Sequence, residues 1–409
     1  MKRLTILLAV LLLAGGAVAQ TIRLQGYGGS DPAIVQRLID EVIGADLAAQ
    51  GITISYEPIE TDYNAVLTNA LSAGTAADVF YIPGETAPGI IATGRVLAIE
   101  DLTDTSAFLD SLMSVYEVDG SIYGIPKDFN TLAVWFNRDF FDAAGVDYPN
   151  DDDDWHTFTD KLRAISDLGD DVYGVCLPTD FARMGAFAFA NGWEPFNEDG
   201  SADLLDPDFM EAFDFYNGLV AEGIAVQPAD IGAGWPGDCV AREQAAVAIE
   251  GAWILGFLRD TAPNLQYGSA LLPKSPTTGE RGNFIFTVAW GINAGTAHQD
   301  AAVAVLEALT SPGAQQFILE QGLAIPSRAD LADNAYFLDE SPEAQGNLTV
   351  FRGASDGAVL GFQFGNVGTD YLNPLNNAMS VVMTGQADSQ TALQEAQEEM
   401  NALLQRSGQ

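Results

Sequence analysis

Asp119 to Val146 reads DGSIYGIPKDFNTLAVWFNRDFFDAAGV. A short Gly turn enters a strand, Pro126 interrupts it, and an apolar strand follows from Leu132 to Phe136. Proline has no backbone N–H, so a ladder containing Pro126 must break or lie at an edge. Asn137-Arg138-Asp139 then opens a helix.

Upstream, Ile22–Leu24 reads as a first strand, followed by Gly26-Tyr27-Gly28-Gly29. Ser30 or Asp31 caps a helix with Pro32 in its first turn. Apolar residues at 34, 35, 38, 39, 42 and 43 carry the helical period. Ile52, Ile54 and Tyr56 alternate like a strand, Val66 to Leu71 marks a helix, and Asp78–Ile82 is a strand closed by Pro83-Gly84. This order implies a mainly parallel sheet with helices on both faces, and such sheets bind ligands beyond the carboxyl ends of their strands. Tyr27 and the loop from Tyr81 to Glu85 occupy those ends.

Downstream the pattern restarts. Trp155, Phe158, Leu162 and Ile165 line a helix, and Asp171–Leu177 reads as a strand. Phe209–Val220 is a helix, and Ala245–Ile249 is a strand that ends at Gly251-Ala252-Trp253. A further strand lies near Phe284–Trp290, and helices follow over Gln299–Thr310, Pro312–Gln321, Tyr371–Met383 and Ser389–Leu404. No internal repeat and no low-complexity linker stands out.

The first 19 residues read as an export signal. Lys2 and Arg3 precede an apolar run from Leu4 to Leu13, and Ala17-Val18-Ala19 fits a cleavage site. The run is too short to span a bilayer. The mature chain is expected to begin near Gln20, outside the cytoplasm. Without Lys2 and Arg3, 15 basic residues face 57 acids, a net charge of −42. That field argues against nucleic acid and anionic lipid as partners. The Asp151–Asp154 run reads as a solvated loop, because a cation site needs carboxylates that converge. Cys176 and Cys239 are the only cysteines, and in an exported chain they can pair.

Catalytic patterns are sparse. His156 and His298 are the only histidines, too few for a histidine-rich metal cluster. Gly26-Tyr27-Gly28-Gly29 lacks the third glycine of a dinucleotide fingerprint, and no phosphate loop occurs. Acids abound, so a carboxylate-pair glycosidase remains as an alternative without motif support.

Four stretches together resemble the maltose-binding-like, sugar-type extracellular solute-binding proteins, the receptors of ABC importers. Asp119–Val146 is similar to that family's first crossover between lobes. Gly232–Trp253, GAGWPGDCVAREQAAVAIEGAW, resembles a family segment that usually has Gly-Lys-Ala-Ala-Met before the strand and Gly-x-Trp after it. Here Glu243-Gln244-Ala245-Ala246-Val247 departs from it, while Gly251-Ala252-Trp253 remains. Tyr267–Thr296 resembles the second crossover, and Tyr371–Leu404 the family's C-terminal helices.

The resemblance implies a two-lobed α/β fold with a hinge of several crossovers. The first lobe would hold residues 21–127 plus 288–324, and the second 128–287 plus 325–409. It implies a monomeric receptor with no catalytic role and no cofactor or metal, periplasmic or extracellular. It would capture a neutral mono- or oligosaccharide and deliver it to membrane permease subunits. Receptors of the same fold for a polyol or a glycerol phosphodiester are the nearest alternative. A sugar ring offers an apolar C–H face and a rim of hydroxyls, which aromatic rings and carboxylates or amides recognise. On that chemistry Trp253 is the leading contact, with Trp235, Trp290, Tyr371 and Trp193 as further aromatic candidates beside Tyr27 and Tyr81. Glu85, Asp128 and Asn130 are the polar candidates, and Asp180 and Arg183 begin a helix whose N-terminus can face the ligand. Lys127 can instead pair with Asp128 and stiffen the hinge. Trp135 and Trp155 read as core.

Overall fold

The computed structural model describes residues 20–28, 31–60, 63–321 and 324–407. The export-signal reading of residues 1–19 lies outside them, as do Gly29 and the capping candidate Ser30. Among the described residues there are thirteen strands, eleven of them in two large sheets and two in a hairpin. Six strands form the first: β1 (Gln20–Tyr27), β2 (Ile52–Ile59), β3 (Val79–Pro83), β6 (Ile125–Thr131), β12 (Gly282–Ile292) and β13 (Ala358–Gly361). β1 pairs in parallel with β2 and β3, while β12 runs antiparallel to β3 and β6. The second sheet has the order β11 (Tyr267–Ala270), β7 (Ala133–Asn137), β10 (Ala245–Glu250), β8 (Tyr173–Cys176), β9 (Ala225–Val226). β4 (Glu117–Val118) and β5 (Ser121–Ile122) form a hairpin ahead of β6. Among the described residues no helix is long and apolar enough to cross a membrane.

β6 and β7 are separated by Leu132 alone, so one residue carries the chain from one sheet to the other. A buried peptide outside both ladders needs other partners. Asn283 supplies them: its Oδ1 accepts the Leu132 N–H at 2.9 Å and its Nδ2 donates to the Leu132 carbonyl at 2.8 Å. A third strand segment joins here, where the Phe129 N–H donates to the Ile325 carbonyl.

Each sheet has a core of its own, and a third cluster joins them, in which Phe129 and Ile285 pack with Trp135 and Ala248. Ile22, Leu24, Val79 to Ile82, Trp290 and Ile292 pack with the helices of residues 31–92 and 299–320. Val134, Phe136, Val175, Val247 and Phe284 pack with the helices of 155–221 and 372–407. β12 therefore passes from one core to the other: Phe284 belongs to the second and Ala289 to the first. β13 shares the first sheet's ladder, yet Ala358 and Leu360 pack against the second core. Trp135 is fully buried, and its Nε1 donates to the Glu250 carbonyl at 2.6 Å. Trp155 is buried in the second core, stacked on Phe215.

Cys176 ends β8, Cys239 lies in the helix Pro236–Ala241, and their sulfurs are bonded across 63 residues. That helix closes on Glu243, whose φ of 55° lies in the left-handed region. Glycine is the usual residue at such a cap, and glycine is what the Gly-Lys-Ala-Ala-Met pattern would place just before this strand. The Asp151–Asp154 run does not converge: Asp151 pairs with Arg352, Asp153 with Lys161, and Asp154 caps the next helix.

Candidate functional site

On the first sheet's side, Tyr27 at the end of β1 meets Tyr63 edge-on at 4.9 Å and Tyr81 at 5.0 Å. The Tyr81 hydroxyl donates to Asp31 Oδ2 at 3.1 Å. β6 carries a bulge here: Pro126 pairs with Ala289 and Asp128 with Val288, leaving Lys127 as the extra residue. Successive strand side chains normally face opposite ways, and a bulge re-aims one of them. Lys127 and Asp128 consequently form an ion pair, and Lys127 Nζ also lies 3.8 Å from Asp31 and 5.0 Å from the Tyr81 ring centre. Burial draws the lysine pKa down, but Asp128 and Asp31 together outweigh it and hold it above its usual value. Glu85 sits in the turn Gly84–Thr86 that follows β3, and burial pushes its carboxyl up. The Tyr27 hydroxyl is pushed far above its usual range, first by burial and then by the Glu85 charge.

On the second sheet's side, β10 reads Ala-Ala-Val-Ala-Ile-Glu and is buried throughout. Glu250, its one acid, is fully buried. Its Oε2 accepts from Arg183 Nη2 at 2.6 Å and from Trp253 Nε1 at 2.9 Å. Arg183 reaches Asp180 as well, at 2.7 Å, and Asp180 caps the helix Phe181–Ala190. Burial pushes the Glu250 carboxyl up, with Arg183 and the Trp253 N–H opposing it.

Trp253 stands beside this network, 39% exposed. It is the first residue of the helix Trp253–Thr261, not a loop residue. Its ring meets Phe286 edge-on at 5.5 Å, and the Arg183 guanidinium lies 5.9 Å from its centre. Gly251 is required here, because a Cβ on it would lie 2.4 Å from the indole. The hinge strand is tied to this turn. Asp128 and Asn130 share one face of β6, and Asn130 Oδ1 accepts the Ala252 N–H at 2.9 Å. A pocket of about 150 Å³ opens there, lined by Asn130, Trp253, Gly256, Arg259, Ile325 and Asn347.

Tyr27, Glu85 and Asp128 thus gather on one side, and Asn130 and Trp253 on the other. Four aromatic candidates, Tyr81, Trp290, Trp193 and Tyr371, are buried among core residues. Trp290 is 2% exposed, with its ring centre 4.2 Å from that of the fully buried Tyr81. Trp193 is 5% exposed and donates from Nε1 to the Asp203 carbonyl. Tyr371 is fully buried, stacked on Phe364 at 4.5 Å, and its hydroxyl donates to the Pro195 carbonyl. Each has its polar tip satisfied or its faces covered by packing. Trp235 is half-buried against Phe257 at 5.0 Å. Glu250 was missed by sequence reasoning, although an acid ending an otherwise apolar strand beside Gly-x-Trp is a usable signal. Among the described residues no group of His, Cys, Asp and Glu could hold a metal ion.

Residues 47–346 match the family model of bacterial extracellular solute-binding proteins. The chain belongs to that family. A binding protein of Brucella abortus is 23% identical over 373 residues, 87% of each chain. The galactooligosaccharide-binding protein of Bacillus subtilis is 23% identical over 345 residues, 80% of this chain and 76% of that protein. The fold is that of the cyclic α-maltosyl-1,6-maltose binding protein from Arthrobacter globiformis, with a TM-score of 0.82 at 18% identity over 94% of this chain and 99% of the other. This solute-binding protein therefore has the two-lobed α/β architecture of those receptors, and its family consists of binding proteins, not enzymes.

Proposed function

We propose that this solute-binding protein is an extracytoplasmic receptor of an ABC importer that captures a neutral mono- or oligosaccharide. The ligand sits between a lobe of residues 21–127 plus 288–324 and one of 128–287 plus 325–409. It favours the closed arrangement by hinge rotation, and the closed monomer delivers it unchanged to a membrane permease. The relatives that bind galactooligosaccharide and cyclic maltosyl-maltose support the ligand class.

One observation carries the reading. Trp253 is a large aromatic surface held at the hinge by Asn130, Gly251 and Glu250, with the Glu250 carboxylate at its edge. That pairing suits a sugar's apolar face and hydroxyl rim. The charges favour a neutral solute over a glycerol phosphodiester. Lys127 faces both Asp31 and Asp128, and Arg183 faces both Asp180 and Glu250. Each cation is already outnumbered by carboxylates, so the net charge at both points repels a phosphate. A thermal-shift screen of the mature protein tests this. One sugar class should stabilise it by about 2.7 kcal/mol at a hundred times its Kd. Stabilisation by glycerol phosphodiesters and by no sugar would overturn the reading.

A further inference from the structure

Two polar atoms beside Trp253 have no hydrogen-bond partner although both are buried: Glu250 Oε1, an acceptor, and Arg183 Nε, a donor. They belong to the same ion pair, whose other atoms are fully engaged with each other, with Asp180 and with the indole N–H. Leaving a buried polar group unsatisfied is costly, most of all where the group is charged. A pair of such groups in a binding protein, at the edge of its exposed tryptophan, is a place prepared for another molecule's hydrogen bonds.

We propose that Glu250 Oε1 and Arg183 Nε form a diol-binding pair, which takes two adjacent hydroxyls of a saccharide stacked on Trp253. This rests on the sugar reading above and adds the residues that select among sugars. One hydroxyl donates to Glu250 Oε1, and the neighbouring hydroxyl oxygen accepts from Arg183 Nε. Each hydroxyl can do either, so a cis or gauche vicinal diol satisfies donor and acceptor together. A phosphate or carboxylate cannot, because it has no hydrogen to give the glutamate. Both atoms are closed off in this structure. The indole N–H stays on Oε2 and holds the ring for stacking, so Oε1 and Nε are the positions the saccharide reaches as the lobes move apart. Arg183 is already ion-paired on two sides, so it arrives oriented and loses little freedom on binding.

The test is a titration calorimetry series. A panel of mono- and oligosaccharides that includes maltotetraose and a galactooligosaccharide is titrated first, then the monodeoxy forms of the tightest binder. In the wild type, removing either hydroxyl of one vicinal pair should weaken binding at least tenfold, and removing others much less. In Glu250→Gln the penalty for the donating hydroxyl should fall below threefold, because the charged acceptor is gone. Arg183→Lys, which keeps charge but has no Nε fork, should do the same for the accepting hydroxyl, and it carries the test if Glu250→Gln does not fold. Undiminished penalties in the variants, or monodeoxy forms that all bind like the parent, overturn the inference and leave the receptor reading standing. No binding by any sugar in the panel overturns both.

Discussion

Gly251→Ala puts the platform under the sharpest test, because it perturbs Trp253 without removing it. The added methyl would lie 2.4 Å from the indole, and ordinary contact begins near 3.4 Å, so the ring must move by about 1 Å. That motion stretches the 2.9 Å bond from Trp253 Nε1 to Glu250 beyond hydrogen-bond range. A hydrogen bond to a charged group contributes about 1.5–3 kcal/mol. The indole is well exposed and water can replace part of the bond, so the lower end applies, about 1.5 kcal/mol. Affinity for the best sugar of the panel should fall about tenfold, or 1.4 kcal/mol. Trp253→Ala sets the limit, with a loss of roughly 2 kcal/mol or more for a binding hot spot. Calorimetric Kd and the melting temperature of the free protein are measured on both variants. Gly218→Ala is the control, since its methyl meets nothing within 4 Å, and it should stabilise its helix by about 0.5–1 kcal/mol. Wild-type affinity and melting temperature in Gly251→Ala would refute the close glycine–indole packing and the role given to it.

Glu243→Gly should raise stability by about 0.5–1 kcal/mol in urea unfolding, the relief of a left-handed glutamate less the added freedom of the unfolded chain. Reducing the bond between Cys176 and Cys239 frees a 63-residue loop and should cost about 4 kcal/mol in the chain-entropy account, and neither thiol should react with an alkylating agent in unfolded, unreduced protein. Glu85 has a folded pKa raised by burial, so its stabilising share is complete below its unfolded pKa and is lost as pH rises through the folded value. Glu85→Gln should therefore raise the melting temperature of the free protein at pH 7 and leave it nearly unchanged at pH 4; the same gain at both would reject that account.

Much of the fold is legible in the chain because its signals are local. The β-α-β order up to Pro83 is read from period alone, whereas the break expected at Pro126 is absent: β6 runs through it, with Pro126 paired to Ala289 and the irregularity one residue later. The pairing of Lys127 with Asp128 was within reach, although adjacent strand residues normally diverge; the bulge that unites them is set by β12, far away in sequence. The membership of β13 in the first ladder had no local sign, since Ala358–Gly361 is four unremarkable residues. Aromatics were the hardest. Trp253 follows an apolar strand and Trp290 lies near the end of one, yet the first is exposed and the second lies against Tyr81. Which of them is covered depends on helices folded over the sheet, and a strand's alternation distinguishes two faces without saying what covers each. Trp193 and Tyr371 sit beside turn-like sequences but are buried, Tyr371 by Phe196 and the Pro195 carbonyl far away in the chain. Glu250 was hidden by the opposite fault, because an acid at a strand end reads as exposed until Arg183 is seen to neutralise it.

The most direct test of the receptor account is a titration of the purified mature protein with the saccharide panel, followed by chromatography of the recovered sugar. The account predicts saturable binding of one molecule per chain, with the sugar returned unchanged and a smaller radius of gyration in small-angle scattering at saturation. Hydrolysis products in the recovered sugar, or a folded protein that takes up no saccharide at all, would contradict it.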